Sequence, residues 1–552
     1  MFYKDTIVNI PTKKRIRKNG IPYVYEILSR KSKTTIEKVV CVGVAIDEFT
    51  MYPNEKYYEI HSEAKMQEPL KEPPVFDDSI YLGASVLIRN ICKKEGLTKI
   101  LDECFPGKAN LIISLAEYYS IRRDSTSQLF KYYARNHFTN LNYIPTDTEL
   151  SKLFNEQIDE KGIRNFLDKW LTYRLSLKNK CQNIEIDFDS TNRNVSSKNI
   201  VAAEYGKAKV DEGLKQINTA YFLDRETGLP IFFDIYYGSI IDMSHCQIAL
   251  EKIRSIDPNI SGTIVLDRGY YSSKNIEYLL NNDINFIFMA KNCKKMNDLI
   301  CKYNASEITQ PQNRIYKTIY GIKSKGKPFD DSSKELYLYL YYNEEDVAVC
   351  VSNLQDSIER TCAFLVGKKD TKGHIQNTYG KQINLEIDQE TKLILSATPN
   401  YNYIAEYKRT TGYFLIVSDK DDSLQSMLTS YRYRDCVEKE MKYTKTLCDL
   451  NKTFASSDKA FEAKILLGFI ASIIRSSIVL KLKPYFLQYS SETSQTALLE
   501  LDKIKVERFN GSYKLKYALT SKQKQILALF DLTSKNIYET LEILNKNVSI
   551  SD

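Results

Sequence analysis

Histidine is scarce in this chain, four in 552 residues, and tryptophan occurs once, at Trp170. Eleven cysteines are scattered without a Cys-x-x-Cys pair. That excludes zinc ribbons and fingers, and an odd number of dispersed thiols reads as a reduced, intracellular chain. The first twenty residues hold no apolar signal core, so a cytoplasmic location is the expectation. Long hydrophobic runs are also missing. The longest, Ile465 to Ile474, stops at Arg475 and is too short to span a bilayer, which predicts a buried helix. Neither sign of charge dominates, since 78 Lys and Arg face 70 Asp and Glu for a net +8. Such a balance permits a nucleic-acid partner without demanding one, and the distribution of charge matters more than its sum.

What is present describes a soluble globular chain too long for one core, with 43% hydrophobic and 27% charged residues. Forty tyrosines fit a biased genome as well as they fit base stacking, so they decide nothing. Residues 1–75 read as a small β-rich basic module, with alternating runs at Tyr23–Leu28 and Lys38–Val44. Its cluster Lys13, Lys14, Arg15, Arg17 and Lys18 is either a solvated arm or a phosphate contact. Pro73 and Pro74 mark a linker. Residues 79–178 turn helical, and Arg122, Arg123, Lys131 and Arg135 suit either DNA binding or a scaffold.

A run of strands follows. Ile184, Ile186 and Phe188 alternate with Glu185, Asp187 and Asp189, which places the acids on one face. Gln216–Leu223 and Leu229–Tyr236 flank the turn Asp224–Gly228 as a hairpin, and Thr263–Leu266 is a short apolar strand ending at Asp267. Three antiparallel strands, then alternating helix and strand, predict an α/β, ribonuclease H-like core at 180–294 and 409–480. Residues 295–408 read as a β-rich insertion, with strands at Leu336–Tyr342, Val347–Val351, Cys362–Val366 and Leu393–Ala397. Residues 481–552 read as a helical C-terminal region, serving dimer contacts or completing the core.

One stretch concentrates chemistry. Tyr431, Arg434, Glu438 and Lys445 stand at offsets 0, 3, 7 and 14 of a helix predicted from Leu424 to Lys445. At about 100° per residue they project within roughly 60° of arc. A carboxylate between two cations and a phenol suits a site that holds metal and phosphate together, although the same pattern also makes exposed i, i+4 ion pairs. Two-metal phosphoryl transfer needs carboxylates, because Mg²⁺ and Mn²⁺ take hard oxygen ligands. Asp189 in Ile-Asp-Phe-Asp-Ser-Thr and Asp267 in Ile-Val-Leu-Asp-Arg-Gly-Tyr supply two at strand ends, where turn-forming Asp is also common. Asp187 is a rival for Asp189 on the same face.

The Tyr-x₂-Arg-x₃-Glu-x₆-Lys spacing resembles the signature of DDE transposases of bacterial insertion sequences, in the insertion sequence 4 superfamily. Asp189-Ser190-Thr191 is similar to that family's first Asp context and Asp267-Arg268-Gly269-Tyr270 to its second. The long stretch between Asp267 and Glu438 matches the place of its β-rich insertion, and Leu229-Pro230 through Asp242 also looks like the family core. The resemblance runs in order over about 180 to 480 and is weakest at both ends.

It implies that Asp189, Asp267 and Glu438 hold two Mg²⁺ or Mn²⁺ ions, while Tyr431, Arg434 and Lys445 grip DNA phosphates. It also implies hydrolysis at transposon ends, strand transfer of the 3′-hydroxyl into target DNA, double-stranded terminal inverted repeats as partners, and a homodimer on paired ends. The location would be a prokaryotic cytoplasm, at the nucleoid. One departure stands out: relatives that form hairpins stack a base on a Trp beyond the second Asp, and Trp170 precedes the first. Tyr403, Tyr407 or Tyr413 would have to serve instead. His245 reads as a capping or core residue. Two other functions fit the same acids, a ribonuclease H-like nuclease without strand transfer and a DNA-binding protein with a retired active site.

Overall fold

The computed structural model describes residues 7–11, 14–18, 21–30, 36–46, 49–61, 77–178, 184–195, 197, 199–206, 213–257, 262–434, 455–488 and 493–549. Lys13, the Pro73-Pro74 linker, Glu438 and Lys445 lie outside the described residues. Two compact units emerge, Met1–Val75 with Asn142–Ile144, and a larger one beginning at Phe76.

In the smaller unit, β1 (Val8–Asn9), β2 (Lys14–Lys18), β3 (Ile21–Arg30), β4 (Ile36–Ala45) and β5 (Thr50–Pro53) form one sheet in the order β1-β5-β4-β3-β2. All its pairings are antiparallel. Val24, Val42 and Met51 form its buried core with Tyr57 of the helix Glu55–Ile60.

The larger unit opens with β6 (Ser79–Tyr81) and a helical layer that includes Gly83–Lys94, Ala109–Arg122 and Glu160–Ser176. Local chemistry starts the last of these, where the Asp159 carboxylate accepts from the Gly162 N–H. Then come β7 (Ile184–Asn194), β8 (Gln216–Asp224), β9 (Leu229–Tyr237), β10 (Gly262–Leu266), β11 (Asn285–Met289), β12 (Arg314–Tyr316), β13 (Ile319–Gly326), β14 (Leu336–Asn343), β15 (Ile383–Ile387), β16 (Ile394–Pro399) and β17 (Tyr413–Ser418). Nine of them form one mixed sheet, β12-β13-β14-β17-β11-β10-β7-β8-β9. Its centre is parallel, β7 beside β10 and β10 beside β11. Its flanks are antiparallel.

Every residue of β8 and of β10 is buried, β10 as a short apolar run and β8 with its polar Gln216, Asn218, Thr219 and Asp224 enclosed as well. The helix Asp458–Gln488 packs on β9 and on the helix Ala109–Arg122. Its Ile465–Ile474 stretch is buried on every side. Among the described residues this helix alone is long and apolar enough to cross a membrane, and 78% of its apolar window is buried inside the protein. Trp170 is fully buried beside the sheet, and its Nε1 donates to the Pro230 carbonyl at 2.9 Å.

Two expectations fail. Val347–Val351 and Cys362–Val366 are not strands: both fall on the 22-residue helix Glu344–Leu365, or in the case of Val366 on its C-cap. A five-residue window of Val and Cys cannot separate a 2.0 from a 3.6 period. The longer row Val347, Ile358, Cys362 and Leu365 is buried on one helix face. Glu344, Glu345 and Asp346 at the first turn suit the positive end of the helix dipole. Of the expected insertion 295–408, β12, β13 and β14 instead belong to the nine-stranded sheet, and the part that leaves it, from residue 344 on, is mixed rather than β-rich. The helix Glu344–Leu365, β15, β16 and the helix Tyr401–Thr410 share a core of their own around Ile358, Leu365, Ile383, Ile394 and Ile404.

The C-terminal region is not helical throughout either. After the helix Ser494–Asp502, β18 (Lys505–Phe509) and β19 (Ser512–Leu515) form a hairpin that pairs with β6. The helices Ser521–Leu529 and Ser534–Ser549 follow it.

Candidate active site

The two aspartates meet because of register. β7 and β10 are parallel, with Ile184 opposite Gly262 and Asp187 opposite Val265. Continuing that register by two residues sets Asp189 beside Asp267, at the carboxyl end of β10, where ligands of open α/β sheets collect. The two sequence motifs lock together behind them. Tyr270 packs edge-on against Phe188, and its hydroxyl donates to Ser190 Oγ at 2.5 Å. Each carboxylate is also fixed by a neighbouring amide, Ser190 N to Asp189 Oδ1 at 2.8 Å and Arg268 N to Asp267 Oδ1 at 2.6 Å.

The third element is the helix Leu424–Arg432, capped by the Ser423 side chain on the Ser426 N–H; it ends well short of the predicted Lys445, with Tyr433 as its C-cap and Arg434 in the turn beyond. It buries Met427 and Leu428 against Val265, Ile287 and Ile416 of the sheet, with Tyr431 packed on the same cluster. That docking delivers Tyr431 and Arg434 to the aspartates. The Arg434 guanidinium lies 3.1 Å from Asp267 Oδ1 and 3.7 Å from Asp189 Oδ2. Tyr431 OH is 3.5 Å from Asp267 Oδ1 and 3.4 Å from Arg434 Nη1. Four of the six residues singled out in the sequence therefore converge. Glu438 and Lys445 belong to the segment outside the described residues.

Burial decides how these groups behave. Arg434 is nearly enclosed, 7% exposed at its side chain. Burial opposes its charge, yet the carboxylates of Asp189 and Asp267 and the Tyr431 phenol offset that cost and raise its pKa. Burial pushes the Tyr431 phenol up to about 12, so it stays a neutral donor at pH 7. Asp189 and Asp267 remain open, 21% and 34% exposed at their side chains.

Asp187, the rival to Asp189, is only 1% exposed. Its nearest cation is Arg225, at 3.8 Å, from the turn between β8 and β9. Burial pushes its carboxyl up to about 6, against the pull of Arg225 and then Arg434. Arg225 also lies 3.5 Å from Glu185 and sits over the Tyr433 ring, which Lys483 covers as well. Charge thus alternates inward from the site, from the open aspartates to Arg434, then Asp187, then Arg225.

Arg225 and Tyr433 were passed over in the sequence. Arg225 hides in a hairpin turn, and nothing local announces that it folds back on β7. Tyr433 alternates with Tyr431 and so takes the opposite side of its turn. His245 is a buried core residue, 2.9 Å from Asp234 and stacked on Tyr236, with Lys252 on the same carboxylate at 2.7 Å. Of the tyrosines considered for base stacking, Tyr413 is unsuited, since it is buried and donates to the Tyr303 carbonyl. Tyr403 and Tyr407 are partly exposed on the helix Tyr401–Thr410.

The donor set suits a hard divalent cation. Two open carboxylates converge on one point, and the protein already stabilises positive charge there with Arg434. Among the described residues no third His, Cys, Asp or Glu completes a cluster.

No protein of curated function matches the sequence. Among solved structures, the chain is similar to a piggyBac transposase in a synaptic complex with hairpin DNA, at 11% identity and a TM-score of 0.32. The similarity covers 74% of this chain and 65% of that one. The family model described as the transposase DDE domain matches residues 181–474, which takes in both aspartates, Arg434 and most of the core helix. With more than half its length inside that match, the chain belongs to the family of transposases built on a DDE domain.

Proposed function

We propose that this chain is a cut-and-paste DNA transposase of the insertion sequence 4 type, with a ribonuclease H-like core whose Asp189, Asp267 and Glu438 hold two divalent cations. The observation that carries this reading is the convergence of Asp189, Asp267, Tyr431 and Arg434 from three separate elements. DDE transposases use divalent cations, and here Mg²⁺ or Mn²⁺ would supply Lewis-acid activation of the attacking oxygen and stabilisation of the leaving one.

The chain's own residues do the rest. Asp189 and Asp267 are held at fixed positions by backbone amides, so little reorganisation accompanies binding. Asp189 and Asp267 would hold the cations, which would leave Arg434 and Tyr431 placed to hold a scissile phosphate, the first as a forked cation and the second as a neutral donor. Lys445 extends that grip along the strand. The site serves two in-line displacements, hydrolysis at the element's end and attack of the freed 3′-hydroxyl on target DNA. A homodimer on paired terminal inverted repeats brings both ends to one target.

The test uses duplexes carrying the element's ends, with Mn²⁺ or Mg²⁺. Glu438→Gln is expected to lose cleavage by at least about a hundredfold while still binding the duplex. Unchanged cleavage would remove Glu438 from the site. Pre-cut ends offered with a target plasmid should give joined product, whereas cleavage without joining makes the chain a nuclease.

A further inference from the structure

We propose that the outward face of the β6-β18-β19 sheet is a second docking surface for duplex DNA, separate from the aspartate site. The inference rests on the transposase reading for the class of partner, and on the structure for the place.

The sheet has two unlike faces. Register puts Ile80 opposite Val506, and Arg508 opposite Tyr513. Ile80, Val506 and Tyr513 are buried, so this face is turned inward. The other face carries Lys505 beside Tyr81, Glu507 opposite Lys514, Phe509 opposite Ser512, and Lys516 at the end of the hairpin. Lys514, Lys516 and Phe509 are exposed, Phe509 at 59%. Tyr517 just beyond is exposed at 70%, under the Lys516 ammonium.

Charge is concentrated here far beyond the chain's average. Residues 503–524 hold seven Lys or Arg and one Glu, and of these Lys505, Lys514 and Lys516 stand on this face. Glu507 is engaged by Lys516 in a solvent-exposed pair that a phosphate can displace, and the face keeps a net positive charge. Phe509 and Tyr517 lie beside lysine ammonium groups and add planar apolar surface to a cationic face.

The geometry favours a duplex. A two-stranded ribbon fits a DNA groove, and residues two apart on a strand stand about 7 Å apart, far enough to meet separate phosphates. The tip Asn510-Gly511 turns with both residues at positive φ, 48° and 80°. This places Phe509 at the leading end of the ribbon, as an apolar group that can enter a groove while Lys514 and Lys516 hold phosphates. The ribbon is held firmly from behind. Asn545 accepts from the Tyr513 N–H at 2.6 Å and donates to the Tyr513 carbonyl at 3.0 Å, which occupies the free edge of β19.

The test is a fluorescence-anisotropy titration of a labelled duplex of about 30 base pairs, with the full chain, in chelator, between roughly 50 and 200 mM salt. Lys514→Glu with Lys516→Glu should weaken binding at least about tenfold and lower the salt slope by about 2. Phe509→Ala should weaken binding with the slope unchanged. Lys372→Glu with Lys381→Glu, the same charge change on the insertion, should leave both readings near wild type.

Binding within twofold of wild type, at the same slope, in the Lys514/Lys516 variant would overturn the proposal. So would a shift in oligomeric state with DNA binding intact, which would make the face a protein interface. If that variant melts early, Lys514→Gln with Lys516→Gln decides by the same slope. Wild-type protein that cleaves DNA while the variants bind normally leaves the transposase reading standing and this one refuted.

Discussion

Asp187 and Asp189 sit two residues apart on one face of β7, yet they live in different solvents. Asp189 is 21% exposed and shares Arg434 with Asp267, whereas Asp187 is 1% exposed and has Arg225 as its near cation. One pleat of β-strand separates a carboxylate free to exchange its partner from one sealed against a fixed partner. Position along the strand, rather than residue type, decides which acid can serve chemistry. An ion pair open to solvent can be remade at small cost, while a sealed one cannot lose either member cheaply.

That contrast can be broken most severely at the open end. Asp189→Asn is expected to cut DNA cleavage at least about a hundredfold with only a modest fall in melting temperature, because Asp267 still balances the buried Arg434. Asp187→Asn should act through stability, because buried Arg225 is left with only the more exposed Glu185 to balance its charge. An equally large rate loss in Asp187→Asn with an unchanged melting curve would erase the distinction.

At the sealed end the pair can be tested as a unit. Arg225→Met alone is expected to cost about 3 kcal/mol in chemical denaturation, because it strands the Asp187 charge. Asp187→Asn combined with Arg225→Met should recover most of that loss, giving a coupling well above about 1 kcal/mol. Additive losses would mean that the two charges do not sense each other.

The smallest effect sharpens the comparison with an acid whose neighbours are acids. Glu462 on the core helix is pushed up to about 7 by burial first, then by Glu160 and Asp458, against Lys459. Its folded pKa lies above the ordinary 4.5, so the folded state holds the extra proton between these values. Stability therefore declines as pH rises from about 4.5 through 7, and above that the ionised group is a burden. Glu462→Gln should raise stability at pH 8 by roughly 1 kcal/mol, after allowing for solvent screening, and do little below pH 4.5. A uniform effect across that range would show that the carboxyl does not titrate there.

The meeting of Asp189, Asp267, Tyr431 and Arg434 was legible in the sequence, because its signals are local. Alternation around Ile186 and Phe188 marked the face, strand-end placement marked Asp189 and Asp267, and a spacing of three set Tyr431 beside Arg434. The sealed end was illegible, since Arg225 reaches Asp187 only through the β8–β9 turn folding back on β7. Tertiary packing made that contact, and no window of neighbouring residues contains it. The helix Glu344–Leu365 was lost to windows too short for its period. The β18–β19 hairpin is a different case: Asn510-Gly511 between alternating residues is a strong hairpin signal, and the helical reading of the tail passed over it.

The insertion's anchorage has a consequence for how such a chain can change. Asn343 at the end of β14 donates its amide to the carbonyl of Gly412 at 2.9 Å, and Tyr342 pairs with Tyr413 directly below. Residues 344–411 thus leave and re-enter the sheet at one point, carrying their own core with them. In engineering terms this is a splice junction. A two-residue turn could replace the whole excursion and leave β14 and β17 as a plain hairpin, and foreign cargo could be grafted there with little entropic penalty, since closure cost grows only slowly with length.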